Sequence, residues 1–157
     1  MRKQIMGQNP KAAADREQAW LDVEPLAQVE VTSEDAAHPV EAALALGREV
    51  GWRAAQPGEQ TIRLMFDQPQ RLKRIRLVFE ERDRARTQEF LLRWSPDGGQ
   101  SWQEIVRQQW NFSPSGAIEE IEDYRVEFSG VTALELKIQP DQSGGEARAS
   151  LAQLRLA

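Results

Sequence analysis

Residues 60–80 read QTIRLMFDQPQRLKRIRLVFE and contain two runs in which apolar and polar side chains alternate. The apolar positions are Ile62, Leu64 and Phe66 in the first run, and Ile75, Leu77 and Phe79 in the second. A period of two is typical of a strand with one buried face and one solvated face. The intervening Asp67-Gln68-Pro69 has turn chemistry. The stretch therefore predicts two strands with a turn between them.

The same alternation recurs along the rest of the chain. It appears at Phe90, Leu92 and Trp94, at Leu134, Leu136 and Ile138, and at Leu154 and Leu156. Residues rich in Gly, Pro, Asp and Ser separate these runs, and only residues 39–46 (PVEAALAL) have the composition of a short helix. Short strands joined by loops predict an all-β sandwich or barrel that forms a single domain over residues 20–157. Residues 1–19 are polar and predict an N-terminal tail that is flexible or partly helical.

Composition excludes several classes of function. The 157 residues contain no cysteine and one histidine, so thiol chemistry is excluded and the usual zinc and iron sites lack ligands. A net charge of −5 with both signs interspersed argues against nucleic-acid binding. The sequence contains no apolar run of about 18 residues and no signal-like apolar segment. We therefore expect no membrane span and a cytoplasmic location.

Several segments together resemble a known family. They are Gly51-Trp52-Arg53, residues 60–79, residues 89–105 (EFLLRWSPDGGQSWQEI) and residues 149–156 (ASLAQLRL). They resemble the discoidin domain (coagulation-factor type C) of the galactose-binding-like superfamily, which includes many carbohydrate-binding modules. The resemblance covers residues 26–157. It implies a jelly-roll β-sandwich of about eight antiparallel strands with ligand contacts in loops at one end.

The chain departs from this family at the positions that often hold a structural calcium ion. Relatives carry Asp-Gly before the loop Trp and a Glu in the last strand, whereas this sequence has Leu46-Gly47 and Gln153. Calcium needs about 6–8 oxygen ligands, several of them carboxylates. We therefore expect no metal at this site, and no cofactor.

Two groups of residues are candidates for ligand binding. Trp110, Asn111 and Phe112 place two aromatic rings beside an amide, which suits the apolar face and the hydroxyls of a sugar. The alternative is that the two rings simply close the end of the fold. The resemblance implies that Arg53 and either Arg82 or Arg84 contact the ligand. The alternative for these arginines is a solvated surface on which Glu80, Glu81, Asp83 and Glu89 are their partners.

The sequence therefore predicts a non-catalytic binding domain whose loops recognise a carbohydrate or a similar small polar ligand. It contains no nucleophile–base pair, no metal-ligand set and no phosphate-binding loop, so we predict no enzymatic activity and no catalytic residue. The alternative function is a cytoplasmic protein–protein interaction module that has lost sugar binding.

Overall fold

The computed structural model describes residues 19–47 and 50–157. The predicted tail, apart from residue 19, lies outside these residues. The strands are β1 (Ala27–Val31), β2 (Trp52–Arg53), β3 (Gln60–Glu80), β4 (Arg86–Ser95), β5 (Gln103–Phe112), β6 (Glu119–Gln139), β7 (Ser150–Leu151) and β8 (Gln153–Leu156). A 3-10 turn at Glu24–Leu26 precedes β1, and one helix, α1 (Glu41–Leu44), falls within the predicted helical stretch.

The strands form the two faces of an antiparallel sandwich. One face has the order β1, the first half of β3, the second half of β6, β4 and β5. On the other face, the second half of β3 pairs with β8 on one side and with the first half of β6 on the other. The short strands β2 and β7 pair separately at one end. The prediction of an eight-stranded jelly-roll β-sandwich is confirmed.

The predicted turn at residues 67–69 is wrong, because β3 continues through it as one strand of 21 residues. Its partner β6 also has 21 residues and continues through Ser129-Gly130, a second sequence with turn chemistry. The register between the two strands shifts between Met65 and Arg74, opposite this segment of β6. Such irregularities bend a strand without ending it. Turn-forming residues at this point therefore bend a strand pair, and the two strands pass together from one face to the other.

The core lies between the two faces and is formed by the alternating apolar positions. Phe79 stacks on Phe90 with their ring centroids 5.3 Å apart, and Trp94 stacks on Phe128 at 5.0 Å. In each pair, one residue belongs to the first face of the sandwich and the other residue belongs to the second face. Trp52 is also fully buried, and its indole nitrogen donates to the carbonyl oxygen of Ser33. In the part of the chain that the structure describes, no helix has the length and apolar character needed to cross a membrane.

Position 51, directly before Trp52, requires glycine both for its backbone conformation and for lack of space for a side chain. Gly51 has φ +78°, and a Cβ built there would lie 2.7 Å from the carbonyl oxygen of Leu151. Gly58 also has a positive φ, +93°, but a Cβ there would meet nothing within 4 Å. Both glycines avoid the strain of a positive φ, whereas only Gly51 also avoids a backbone clash.

We expect Gly51→Ala to lower the free energy of unfolding by more than Gly58→Ala does, with a difference above about 1 kcal/mol. Urea unfolding of both variants measures it. Equal decreases in the free energy of unfolding would show that β7 leaves room for a Cβ atom at position 51, which would contradict the close contact with Leu151.

Candidate functional site

A polar pocket of about 650 Å³ opens at the end of the sandwich where β3 leads into β4. We call it the arginine pocket. It is lined by His38, Arg53, Glu80, Glu81, Arg82, Asp83, Arg84, Glu146, Arg148 and Ser150. All three arginines predicted to contact a ligand lie in it. The structure thus brings together residues that are more than 30 positions apart in the chain.

Backbone pairing fixes the wall that carries Arg53. This residue lies on β2 directly opposite Ser150 of β7. Its backbone nitrogen donates to the carbonyl oxygen of His38 at 3.1 Å, and its carbonyl accepts from the backbone nitrogen of Asp35 at 2.8 Å. These bonds place the His38 loop, β2 and β7 side by side. The connection between β3 and β4 forms the facing wall.

Four arginines of the pocket have no protein partner. Within residues 19–47 and 50–157, no ion pair or side-chain hydrogen bond is formed by Arg53, Arg82, Arg84 or Arg148. Two of the four expected partners are engaged elsewhere, because Glu81 pairs with Arg86 and Glu89 pairs with Arg107. The other two, Glu80 and Asp83, lie in the pocket lining but form no ion pair with Arg82 or Arg84 among the described residues. The pocket therefore presents guanidinium groups whose hydrogen-bond donors are not used by the fold.

Several described arginines outside the pocket are engaged in structural contacts. Arg63 and Arg93 both bind the buried carboxylate of Glu135, at 2.6 and 2.7 Å. Arg74 binds Asp123 at 2.7 Å. These acids lie on β6, across the sheet from their partners. The described arginines thus include guanidiniums that join strands as well as guanidiniums that line one pocket.

One buried ion pair closes the side of the arginine pocket. The Nε atom of Arg86 donates to Oε1 of Glu81 at 2.8 Å, and Nη1 donates to the carbonyl oxygen of Pro140 at 2.8 Å. The guanidinium also lies 4.6 Å from the ring centroid of Phe112. Burial alone would raise the pKa of the Glu81 carboxyl, but hydrogen bonds from Arg86 and from the backbone of Asp83 lower it below its ordinary value. Glu81 is therefore held as a fixed anion.

The structure does not assemble Trp110, Asn111 and Phe112 into one platform, which corrects that interpretation. Successive residues of a strand point to opposite faces. Trp110 accordingly packs against the core with its indole nitrogen buried and unpartnered, and Phe112, 2% exposed, lies beneath Arg86. Asn111 points the other way and accepts a hydrogen bond from the hydroxyl of Thr87 at 2.8 Å. The two rings therefore lie on the opposite face of β5 from the amide.

Asn111 lines a second cavity, of about 610 Å³, on the other side of the β3–β4 connection. We call it the amide cleft. Its lining is Ala85, Arg86, Thr87, Gln109, Asn111, Phe112, Asp141, Gln142 and Ser143. The predicted site residues thus fall into two neighbouring cavities rather than one.

A buried carboxylate, that of Glu120, is connected to Arg86 through Gln88. Glu120 is 1% exposed, and its Oε1 atom accepts a hydrogen bond from Gln88 at 3.1 Å, whereas Oε2 has no hydrogen-bond partner among the residues that the structure describes. Gln88 in turn accepts from Arg86 at 3.1 Å. Burial, followed by the nearby Glu122 carboxyl, raises the pKa of Glu120 to about 8.

Sequence reasoning missed Arg148, Glu146 and Glu80 as pocket residues. Arg148 and Glu146 follow the glycines of the connection after β6, where the sequence indicates only a long loop. Their proximity to Arg53 depends on the pairing of β7 with β2. Among the described residues, no three His, Asp or Glu side chains are grouped as a metal site would require.

No protein-family model and no curated protein sequence matches the chain. Solved structures of carbohydrate-binding modules do match it in fold. The module CBM32-3 from a family 31 glycoside hydrolase of Clostridium perfringens superposes with a TM-score of 0.65 at 18% identity, over 89% of this chain and 95% of that one. The family 32 module of C. perfringens NanJ, solved with galactose, gives 0.60 at 13% identity, over 86% and 96%.

A third similar structure holds an acidic sugar. The family 32 module of AlyQ, in complex with 4,5-unsaturated mannuronic acid, gives a TM-score of 0.63 at 14% identity, over 89% of this chain and 98% of that one. At these identities the likeness establishes only the fold, an antiparallel β-sandwich like that of these modules. The narrower resemblance to discoidin domains stays a prediction.

We expect Arg86→Met to lower the free energy of unfolding by about 3 kcal/mol or more, because it leaves a half-buried carboxylate without its partner. Chemical denaturation measures the loss. The matched control is Arg107→Met, which removes an exposed ion pair with Glu89 and should change the melting temperature little. Similar losses in both variants would contradict a structural role for the Arg86 pair.

We expect stability to depend on the protonation of Glu120. Its pKa of about 8 in the folded state exceeds its ordinary 4.5, so between these values the folded state binds a proton that the unfolded state has released. Stability from this group therefore falls as pH rises through that window. Glu120→Gln should match the wild type at pH 4.5 and exceed it at pH 9 by about 1–3 kcal/mol.

Urea unfolding at the two pH values measures this difference. The control is Glu119→Gln, an exposed neighbour on the same strand. A gap between Glu120→Gln and the wild type that does not widen with pH would show that Glu120 is ionised throughout.

Proposed function

We propose that this chain is a non-catalytic binding domain that recognises a carbohydrate in the arginine pocket. The observation that carries the proposal is the convergence of Arg53, Arg82, Arg84 and Arg148 in one cavity, where their side chains form no ion pair or hydrogen bond with another described residue. All four side chains are solvent-exposed, so their guanidinium donors can exchange water for the hydroxyl or carboxylate oxygens of a ligand. The likeness in fold to carbohydrate-binding modules supports a sugar as that ligand.

The chemistry of the pocket suits a polyhydroxylated molecule. Guanidinium groups only donate hydrogen bonds, and a carboxylate only accepts them. The carboxylates of Glu80, Asp83 and Glu146 lie in the same lining as the arginines. A sugar hydroxyl donates and accepts at once, so adjacent hydroxyls can use both kinds of group. A ligand with a single type of polar group would leave half of the pocket unsatisfied.

Hydrogen bonding rather than aromatic stacking carries recognition in this proposal. The described lining of the arginine pocket contains no Trp, Tyr or Phe. The volume of about 650 Å³ lies within the range of about 300–1,000 Å³ that is usual for small-molecule sites. Arg53 and His38 are positioned by backbone hydrogen bonds, so that wall of the pocket is formed before a ligand arrives.

We expect Arg84→Ala and Arg148→Ala each to weaken sugar binding at least tenfold, because a hydrogen bond to a charged group contributes about 1.5–3 kcal/mol. Isothermal titration calorimetry with galactose and with galacturonic acid measures the affinity. Arg71→Ala is the control, since this exposed arginine pairs with Glu127 outside the pocket. All three variants should keep the melting temperature of the wild type.

Binding that survives both pocket substitutions would contradict the location of the site. An absence of binding to either sugar would instead favour the protein–protein interaction module as the function. The cytoplasmic location stays a prediction.

A further inference from the structure

The amide cleft adjoins the arginine pocket, and we propose that it binds a second sugar unit, so that the ligand is an oligosaccharide chain rather than a single terminal sugar. This inference rests on the proposed function of the arginine pocket. The inference adds a second subsite to the binding site. It also names the class of ligand, a glycan chain long enough to extend past Arg86 from the pocket into the cleft.

The two cavities share their walls. The connection between β3 and β4 borders the arginine pocket with Glu81 and Arg84 and the amide cleft with Ala85 and Arg86. The segment after β6 does the same, because Asp141 lines the cleft and Arg148 lines the pocket. The hydrogen-bonded pair of Glu81 and Arg86, 2.8 Å apart, therefore forms the partition. A chain that fills the pocket needs to pass only this pair to reach the cleft.

The side chains of the cleft present unused polar atoms suited to hydroxyl groups. Asn111 accepts a hydrogen bond from Thr87 through Oδ1, which leaves its amide nitrogen without a partner among the described residues. Gln109 donates to Glu89 through Nε2 at 3.0 Å, and its side-chain carbonyl oxygen has no partner within residues 19–47 and 50–157. One donor and one acceptor on the same face of β5 match the two roles of a hydroxyl.

The cleft is held open by contacts that do not need a ligand. The backbone nitrogen of Gln142 donates to the carbonyl oxygen of Thr87 at 2.8 Å, and its side chain donates to Glu89. Asp141 accepts from the backbone and the hydroxyl of Ser143. Ordered walls lower the entropy that binding has to pay. The volume of about 610 Å³ is close to that of the arginine pocket and is also usual for a small-molecule site.

The test is the dependence of affinity on chain length. The probes are galactose, β-1,4-galactobiose and β-1,4-galactotriose, together with galacturonic acid and its dimer and trimer. We expect the wild type to bind the disaccharide of the preferred series at least fivefold more tightly than the monosaccharide. Asn111→Ala should abolish this gain and leave the affinity for the monosaccharide unchanged.

The matched control is Gln103→Ala, an exposed amide at the other end of β5, which should keep the gain. Equal affinity for monomer, dimer and trimer would overturn the second subsite. So would an Asn111→Ala variant that loses affinity for the monosaccharide as well. In both cases a loss of all binding in Arg148→Ala would leave the proposed function standing. No binding to any member of either series would overturn both proposals.

Discussion

The pairing of β3 with β6 is the constraint on which the rest of the structure depends. Both strands have 21 residues, and in each strand one half belongs to the first face of the sandwich and the other half to the second face. Their shared bend determines where the first face ends and the second begins. The core pairs Phe79–Phe90 and Trp94–Phe128 can form only because this bend stacks the two halves. The antiparallel register then places the β3–β4 connection beside the start of β6.

This geometry also explains why two cavities lie at one end. Because β3 is long and continuous, its end at Glu80 places the following connection, with the acidic and basic side chains of residues 81–84, at the edge of the sandwich. The small β2–β7 pair brings Arg53 and Arg148 to meet them. Arg86 turns inward, satisfies Glu81 and the Pro140 carbonyl, and separates the pocket from the cleft. Arg86, which has a structural role, thus separates the amide cleft from the arginine pocket proposed to bind the ligand.

The charged residues show how far sequence reasoning extends. Alternation identified five runs that lie in β3, β4, β6 and β8, and the unusual number of arginines indicated a surface of interest. Pattern alone did not separate Arg84 from Arg86. Arg84 lies in the connection before β4 and is a pocket side chain, whereas Arg86, two positions later, begins β4 and is a buried partner of Glu81. The aromatic residues differ from Asn111 for another reason, the alternation of side chains along a strand. Trp110 and Phe112 lie on the inner side of β5, whereas Asn111 lies on the outer side.

The sequence by itself determined the all-β class and the alternating apolar positions of the core, because period-two alternation is a local property of each strand. It also marked loops through their turn-forming residues. It also indicated Arg53, Arg82 and Arg84 through the family resemblance. Only the tertiary structure decided that residues 67–69 bend a strand, that Arg148 joins Arg53, and that Asn111 belongs to a separate cleft. The physical reason is that these outcomes depend on which strands pair and in what register. Pairing is a long-range choice, stabilised by contacts between residues far apart in the chain, and no local pattern records it.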